Sequence, residues 1–158
     1  MLIGVALVSP GFVKDLSTWY LTIDRNGTLI QTLSPAYRDN IYDRVSIEMR
    51  TFIDPATLSL IKTTAEEQGF FLLRDEYPVD YTDMPVYSIT LPHGESFKRV
   101  VVHGSGMLAN GDAPPVELEV FTRLWDIVAY LAPYRSITLQ KANPDEVRRY
   151  NERFLGKK

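Results

Sequence analysis

Cysteine is absent from this 158-residue sequence, and histidine occurs only twice. Without a thiol, the chain has no disulfide, no thiolate metal site and no cysteine nucleophile. The two histidines, His93 and His103, match no zinc-binding spacing such as His-Glu-x-x-His. The side chains most often used in catalysis and metal binding are therefore scarce. We predict no catalytic constellation, no metal site and no cofactor.

A long apolar run is also missing at the start of the chain. The apolar residues 1–8 end at Ser9-Pro10, far short of the roughly 20 residues that a membrane-spanning helix needs. No Lys or Arg precedes them, as one would in a secretory signal. We interpret residues 1–8 as a buried strand and expect a soluble, cytoplasmic protein with no membrane contact. An exported protein is the alternative, if the chain is a processed or truncated precursor.

Basic residues are slightly outnumbered, with 17 Lys and Arg against 20 Asp and Glu, and the net charge is −3. The charge is uneven, because residues 140–158 carry six basic and three acidic side chains. Nucleic-acid-binding domains usually present a basic stripe on an already basic domain. The acidic body of this chain therefore argues against a nucleic-acid partner.

Two similar segments suggest an approximate internal duplication. Tyr20 and Tyr87 are each followed seven residues later by a glycine, Gly27 and Gly94, within alternating apolar and polar residues. Asn-Gly between such runs is a strong hairpin signal, and His93 before Gly94 is interpreted as part of a second hairpin turn. We predict a ββα unit over residues 1–69 and another over residues 70–134, with an additional strand at residues 45–52 in the first.

Helix signals follow each hairpin. Asp54-Pro55 is typical of a helix start, and Gly69 of a helix end. A second helix is predicted from about Asp112 to Leu131, and a third, amphipathic helix over residues 143–156. Strands followed by helices, without strict alternation, indicate an α+β fold. We predict one α+β domain over residues 1–158, with antiparallel hairpins, packed helices and the additional C-terminal helix.

The most unusual segment is rich in acids and tyrosines. Residues 75–87 contain four acidic residues, three tyrosines and two prolines, a composition that suits binding because carboxylates supply charge and tyrosines supply rigid contact area. The alternative is an ordered connection stiffened by proline. His103 lies at a predicted strand end before a glycine-rich loop, where a histidine can act as a base or ligand. The alternative is a partly exposed strand residue with no chemical role. The candidate binding residues are Tyr77, Asp80, Tyr81, Asp83 and His103.

The order of these features resembles that of a family of small bacterial α+β domains of unknown function. The resemblance lies in the first helix, the Gly69-Phe70-Phe71 sequence, Tyr77, the Thr82-Asp-Met-Pro85 sequence and the second hairpin, and it covers roughly residues 17–134. It implies an α+β fold and supplies no catalytic residues. Members of that family often look exported or lipid-anchored, which conflicts with the missing secretory signal here.

These observations favour a non-catalytic binding or protein-interaction domain. The amphipathic C-terminal helix should pack either on its own domain, which is the simpler interpretation, or on a second copy of the chain in a homodimer. A separate protein partner is also an open expectation. The alternative is a small hydrolase-like enzyme in which His103 acts with nearby carboxylates, such as Asp80 or Asp83. That alternative requires these side chains within hydrogen-bond reach around a concave pocket.

Overall fold

Seven strands and two helices make up the part of the chain that the structure describes. The structure, a computed structural model, describes residues 2–8, 16–35, 47–78, 85–104 and 116–133. The strands are β1 (Ile3–Val8), β2 (Leu16–Ile23), β3 (Thr28–Pro35), β4 (Ile47–Phe52), β5 (Glu76–Tyr77), β6 (Val86–His93) and β7 (Ser96–His103). The helices are α1 (Pro55–Glu67) and α2 (Glu119–Leu131), and short 3₁₀ turns span Phe70–Leu72 and Val116–Leu118.

The strands form one sheet in the order β4-β3-β2-β1-β6-β7-β5. β1 lies at the centre, with the β2–β3 hairpin on one side and the β6–β7 hairpin on the other. Each of these neighbouring pairs is antiparallel, and only the short β5 runs parallel to its neighbour β7. The predicted α+β fold is therefore confirmed, and the sheet includes strands from both predicted halves.

One face of the sheet carries the hydrophobic core. Alternate strand residues point to the same face, and the register places Val5 between Leu21 on β2 and Ile89 on β6. The next strands continue this face with Val100 on β7 and, beyond the buried Gln31, Met49 on β4. Helix residues join the same cluster, including Ile61, Ala65, Phe121, Leu124 and Val128. We call this the helix-covered face and the opposite one the open face.

Local signals account for the limits of α1. The Asp54 carboxylate accepts a hydrogen bond from the backbone N–H of Thr57 at 2.9 Å, which satisfies a donor that the first helical turn leaves free. Hydrogen bonds from Thr57 lower the pKa of Asp54. The chain leaves the helix near Gly69, whose φ of 84° is a left-handed conformation. The predicted start and end of this helix are thus close to those observed.

The second helix begins later than predicted. Within the described residues it starts at Glu119, after the 3₁₀ turn Val116–Leu118. A 3₁₀ turn is common at helix N-termini, and Leu118, at the N-cap position, makes no side-chain capping hydrogen bond. The C-terminal helix predicted over residues 143–156 lies outside the described residues.

The two hairpins differ in their turns. Between β2 and β3 the chain uses the four residues 24–27, and the Asp24 carboxylate accepts hydrogen bonds from the N–H groups of Asn26 and Thr28. Between β6 and β7 it uses only Gly94 and Glu95, so that His93 is the last residue of β6 and not a turn residue. Equal Tyr-to-Gly spacing therefore corresponds to unequal turns, and the predicted duplication is not confirmed.

Candidate functional site: a cavity on the open face

The open face is built from two cross-strand rows of mostly small or hydroxyl-bearing residues. One row runs Thr22, Gly4, Thr90, Arg99 across β2, β1, β6 and β7. The next row runs Tyr20, Ala6, Ser88, Val101 across the same strands. Directly opposed side chains in a sheet are close neighbours. The two rows therefore form a continuous surface on the central strands.

A cavity of about 280 Å³ opens on this surface. Its floor lies over the central strands, because Gly4 and Ala6 of β1 have almost no side chain to fill the space. Its walls rise on the two flanking strands, where Tyr20 and Arg99 carry the large side chains. The lining comprises Gly4, Val5, Ala6, Tyr20, Leu21, Thr22, Ser88, Thr90 and Arg99.

Polar groups are available inside the cavity. Ser88 is 6% exposed and lies beside Ala6, while Thr22 and Thr90 flank Gly4 on either side. A hydroxyl group both donates and accepts hydrogen bonds. The floor can therefore bind either donors or acceptors of a ligand.

Arg99 gives the cavity its charge. Among the described strand residues of the open face, the other charged side chains are paired: Arg50 contacts Glu48 at 2.8 Å, and His103 contacts Glu76 at 2.7 Å. Arg99 forms no ion pair with any residue that the structure describes, and its side chain is exposed. Within the described part of the chain, the cavity therefore presents one positive charge that no carboxylate compensates.

The predicted site residue His103 lies on the open face but not in the cavity. It is the last residue of β7, four positions beyond Arg99, which corresponds to about 13 Å along a strand. The Nε2 atom of His103 lies 2.7 Å from Oε1 of Glu76. The structure thus brings His103 to a carboxylate, although Glu76 is not one of the acids that the sequence suggested for it.

Tyr77 lies on the other side of the sheet and is 6% exposed. Its hydroxyl accepts a hydrogen bond from the backbone N–H of Arg74 at 3.1 Å, and the Arg74 guanidinium lies 4.5 Å from the ring centre. These contacts indicate a packing role. The remaining predicted site residues, Asp80, Tyr81 and Asp83, lie outside the described residues.

The cavity residues were missed because the sequence signal is subtle. Residues 3–7 read Ile-Gly-Val-Ala-Leu, so large and small residues alternate along one strand. A strand with large side chains on one face and minimal ones on the other leaves space on the second face. That pattern points to β1, but Tyr20, Ser88 and Arg99 are identified only when the strand order is known.

The described part of the chain offers no group of three or more His, Asp or Glu side chains arranged to hold a metal ion. Neither described helix is long and apolar enough to cross a membrane. Comparison of the chain with models of known protein families gives no match, and comparison with curated proteins gives none either.

Proposed function

We propose that this chain is a non-catalytic binding domain whose ligand occupies the cavity on the open face. The observation that supports the proposal is the cavity itself, about 280 Å³ in volume and lined by hydroxyl groups and by the guanidinium of Arg99, which forms no ion pair with a described residue. Binding sites for small molecules are typically concave, with a few convergent polar groups. The volume lies just below the usual range of about 300–1,000 Å³, which favours a small ligand.

The position of the cavity favours binding with little rearrangement. Gly4 and Ala6 belong to the central strand, which pairs with β2 on one side and β6 on the other. A floor held by two strand ladders needs little ordering when a ligand arrives, so less binding free energy is lost to conformational entropy. A preformed site of this kind suits a domain whose task is to bind.

Filling the cavity floor tests the proposal. The neutral fluorescent probe N-phenylnaphthylamine is titrated into the wild-type chain and into Ala6→Val, which adds two methyl groups to the floor and suits a strand. We expect at least a tenfold weaker affinity in Ala6→Val. The matched control Ala56→Val makes the same change at an exposed position of α1 and is expected to bind as the wild type does. Equal affinity in Ala6→Val would contradict the proposal.

A second candidate function is hydrolysis by His103 with the Glu76 carboxylate. The 2.7 Å contact between these side chains favours it, since a carboxylate can orient a histidine that acts as a general base. However, the structure describes no serine or threonine hydroxyl in hydrogen-bond contact with His103. The assay is p-nitrophenyl acetate hydrolysis by wild type, His103→Gln and the control His93→Gln. A rate lost only in His103→Gln would favour the enzyme over the binding domain.

The larger assembly is proposed from the sequence. We propose that the helix predicted over residues 143–156 contacts a second copy of the chain or a protein partner, and that the protein acts in the cytoplasm without nucleic acid. Membership of the small bacterial family described above stays a proposal as well. Light scattering on the full chain tests the dimer, because a monomer at micromolar concentration would contradict it.

A further inference from the structure

We propose that the ligand of the open-face cavity is a small organic anion with a single acidic group, which Arg99 binds, and a flat apolar part, which lies against Tyr20. This inference rests on the proposed binding function and specifies the chemistry of its ligand. The two large side chains of the lining lie on opposite flanking strands, β2 and β7, with the floor between them.

The charge of the ligand follows from Arg99. Its guanidinium has no ion pair among the described residues, whereas the other charged strand residues of the open face are paired. A guanidinium offers a fork of N–H donors that matches a carboxylate or sulfonate in two parallel hydrogen bonds. A cationic ligand would be repelled at this position, so the cavity selects an anion.

Arg99 also determines how many acidic groups the ligand can carry. Among the residues that the structure describes, Arg99 is the one cationic side chain of the lining, and the remaining polar lining consists of the hydroxyls of Tyr20, Thr22, Ser88 and Thr90. A polyphosphate or a tricarboxylate would bring further negative charges with no cation to face them, and an unpaired charge that loses its water is costly. A singly charged anion is therefore the best match.

The apolar part of the ligand follows from Tyr20. Its side chain is 48% exposed, although it lines a cavity, and an exposed aromatic face can stack on a flat ring. Three strand spacings separate β2 from β7, or roughly 14 Å between their backbones. That span accommodates an acidic group near Arg99 and a ring near Tyr20 in the same molecule. The Thr90 hydroxyl, directly beside Arg99, can add a hydrogen bond to the acidic group.

Two fluorescent probes that differ by one sulfonate group test this inference. Anilinonaphthalene sulfonate carries one sulfonate, and N-phenylnaphthylamine is its neutral counterpart. We expect the wild type to bind the sulfonate at least tenfold more tightly. Because a charge-assisted hydrogen bond contributes more than a neutral one, Arg99→Gln should weaken sulfonate binding about tenfold or more. The same substitution should weaken binding of the neutral probe by a much smaller factor, because that probe has no acidic group for the guanidinium to bind.

Control variants and competing ligands accompany the titrations. Arg25→Gln removes an exposed arginine from the β2–β3 turn and is expected to leave both affinities unchanged. Tyr20→Ser should weaken both probes, whereas Tyr20→Phe should retain both, since the ring is kept. Benzoate should displace the sulfonate probe and neutral benzamide should not. Circular dichroism and thermal unfolding of each variant report whether the fold is preserved.

The outcomes separate this inference from the function on which it rests. If both probes bind equally and Arg99→Gln changes neither affinity, the inference that the ligand is an anion is wrong. Weaker probe binding in Ala6→Val would still support a binding domain in that case. If neither probe binds the wild type, the proposed function and the anion are both overturned. Loss of sulfonate binding in Arg99→Gln alone supports the inference.

Discussion

The β2–β3 and β6–β7 hairpins flank the same central strand, yet they differ in turn length and in what their matching residues do. Tyr20 points to the open face and lines the cavity. Tyr87 points to the helix-covered face, is 2% exposed and packs edge-on against Trp125, with 4.8 Å between the two ring centres. Gly27 and Gly94 both have positive φ. However, only Gly27 of the two contacts a segment outside its own hairpin, because its carbonyl accepts a hydrogen bond from the backbone N–H of Ile53, between β4 and α1.

Equal spacing in a sequence therefore does not determine which face of the sheet a residue occupies. Successive strand residues alternate between the two faces of the sheet. Two residues whose distances from the ends of their strands differ by an odd number can therefore lie on opposite faces. Tyr20 lies three residues before the end of β2, and Tyr87 lies six residues before the end of β6. Tyr20 therefore lines the open-face cavity, and Tyr87 belongs to the core.

The largest expected effect tests whether both hairpins bury the same face. Leu21→Ala on β2 and Ile89→Ala on β6 remove fully buried side chains and should each lower the free energy of unfolding by about 2–5 kcal/mol. The adjacent open-face variants Thr22→Ala and Thr90→Ala should change it by about 0.5 kcal/mol or less. Urea unfolding measures the free energy of all four variants. A small effect for either Leu21→Ala or Ile89→Ala would contradict the claim that both hairpins bury the same face of the sheet.

The next largest effect separates the two turn glycines. A Cβ at Gly27 would overlap the carbonyl oxygen of Ile53, whereas a Cβ at Gly94 meets no atom within 4 Å. Gly94→Ala should cost about 1–2 kcal/mol for the left-handed backbone alone. Gly27→Ala should cost about 1–3 kcal/mol more, because the added atom has no space.

The loss of unfolded-state entropy is the same in the two glycine variants, so the difference between them isolates the contact with Ile53. Equal unfolding free energies for Gly27→Ala and Gly94→Ala would show that the β2–β3 turn does not pack against the residues before α1.

The two tyrosines provide a smaller test. The buried Tyr87 hydroxyl has no hydrogen-bond partner among the described residues, and a buried polar group without a partner is destabilising. Tyr87→Phe should therefore raise the free energy of unfolding by up to about 1 kcal/mol. Tyr20→Phe, at an exposed hydroxyl, should change it by less than about 0.5 kcal/mol. Chemical unfolding at neutral pH measures both, and destabilisation by Tyr87→Phe would reveal a partner for that hydroxyl.

The burial of Tyr87 can also be tested by unfolding the protein at alkaline pH. Burial raises the pKa of Tyr87 from 10.0 to about 12. The Tyr87 phenol ionises more easily in the unfolded chain than in the folded one. The wild type therefore keeps its full free energy of unfolding below about pH 10 and loses part of it as the pH rises towards 12. The advantage of Tyr87→Phe over the wild type should therefore be larger at about pH 11 than at about pH 9. A constant advantage at both pH values would contradict the burial of this phenol.

Local signals explain how much of the fold the sequence predicts. Asp54-Pro55 and Gly69 mark α1 closely, and the pattern of residues 45–52 predicts β4, which spans Ile47–Phe52. The central place of β1 and the parallel pairing of β5 depend on contacts between distant segments, which propensity and spacing do not encode. The strand order therefore had to come from the structure.

The candidate site shows the same division. His103 is recognisable as a strand-end histidine, but its carboxylate partner Glu76 is 27 residues away in the chain and is selected only by the β5–β7 pairing. The cavity requires β1, β2, β6 and β7 to lie side by side. The residues that line the cavity are common types, and they form a candidate site only because the fold places them together on one face of the sheet.

The most direct test of the binding account is a two-dimensional amide NMR titration of the full chain with benzoate. If a small anion binds on the open face, shift changes should concentrate on the amides of Gly4, Ala6, Ser88, Thr90 and Arg99, and Arg99→Gln should reduce them. Shift changes confined to α1 and α2, or none at millimolar benzoate, would contradict a small-anion site on the open face.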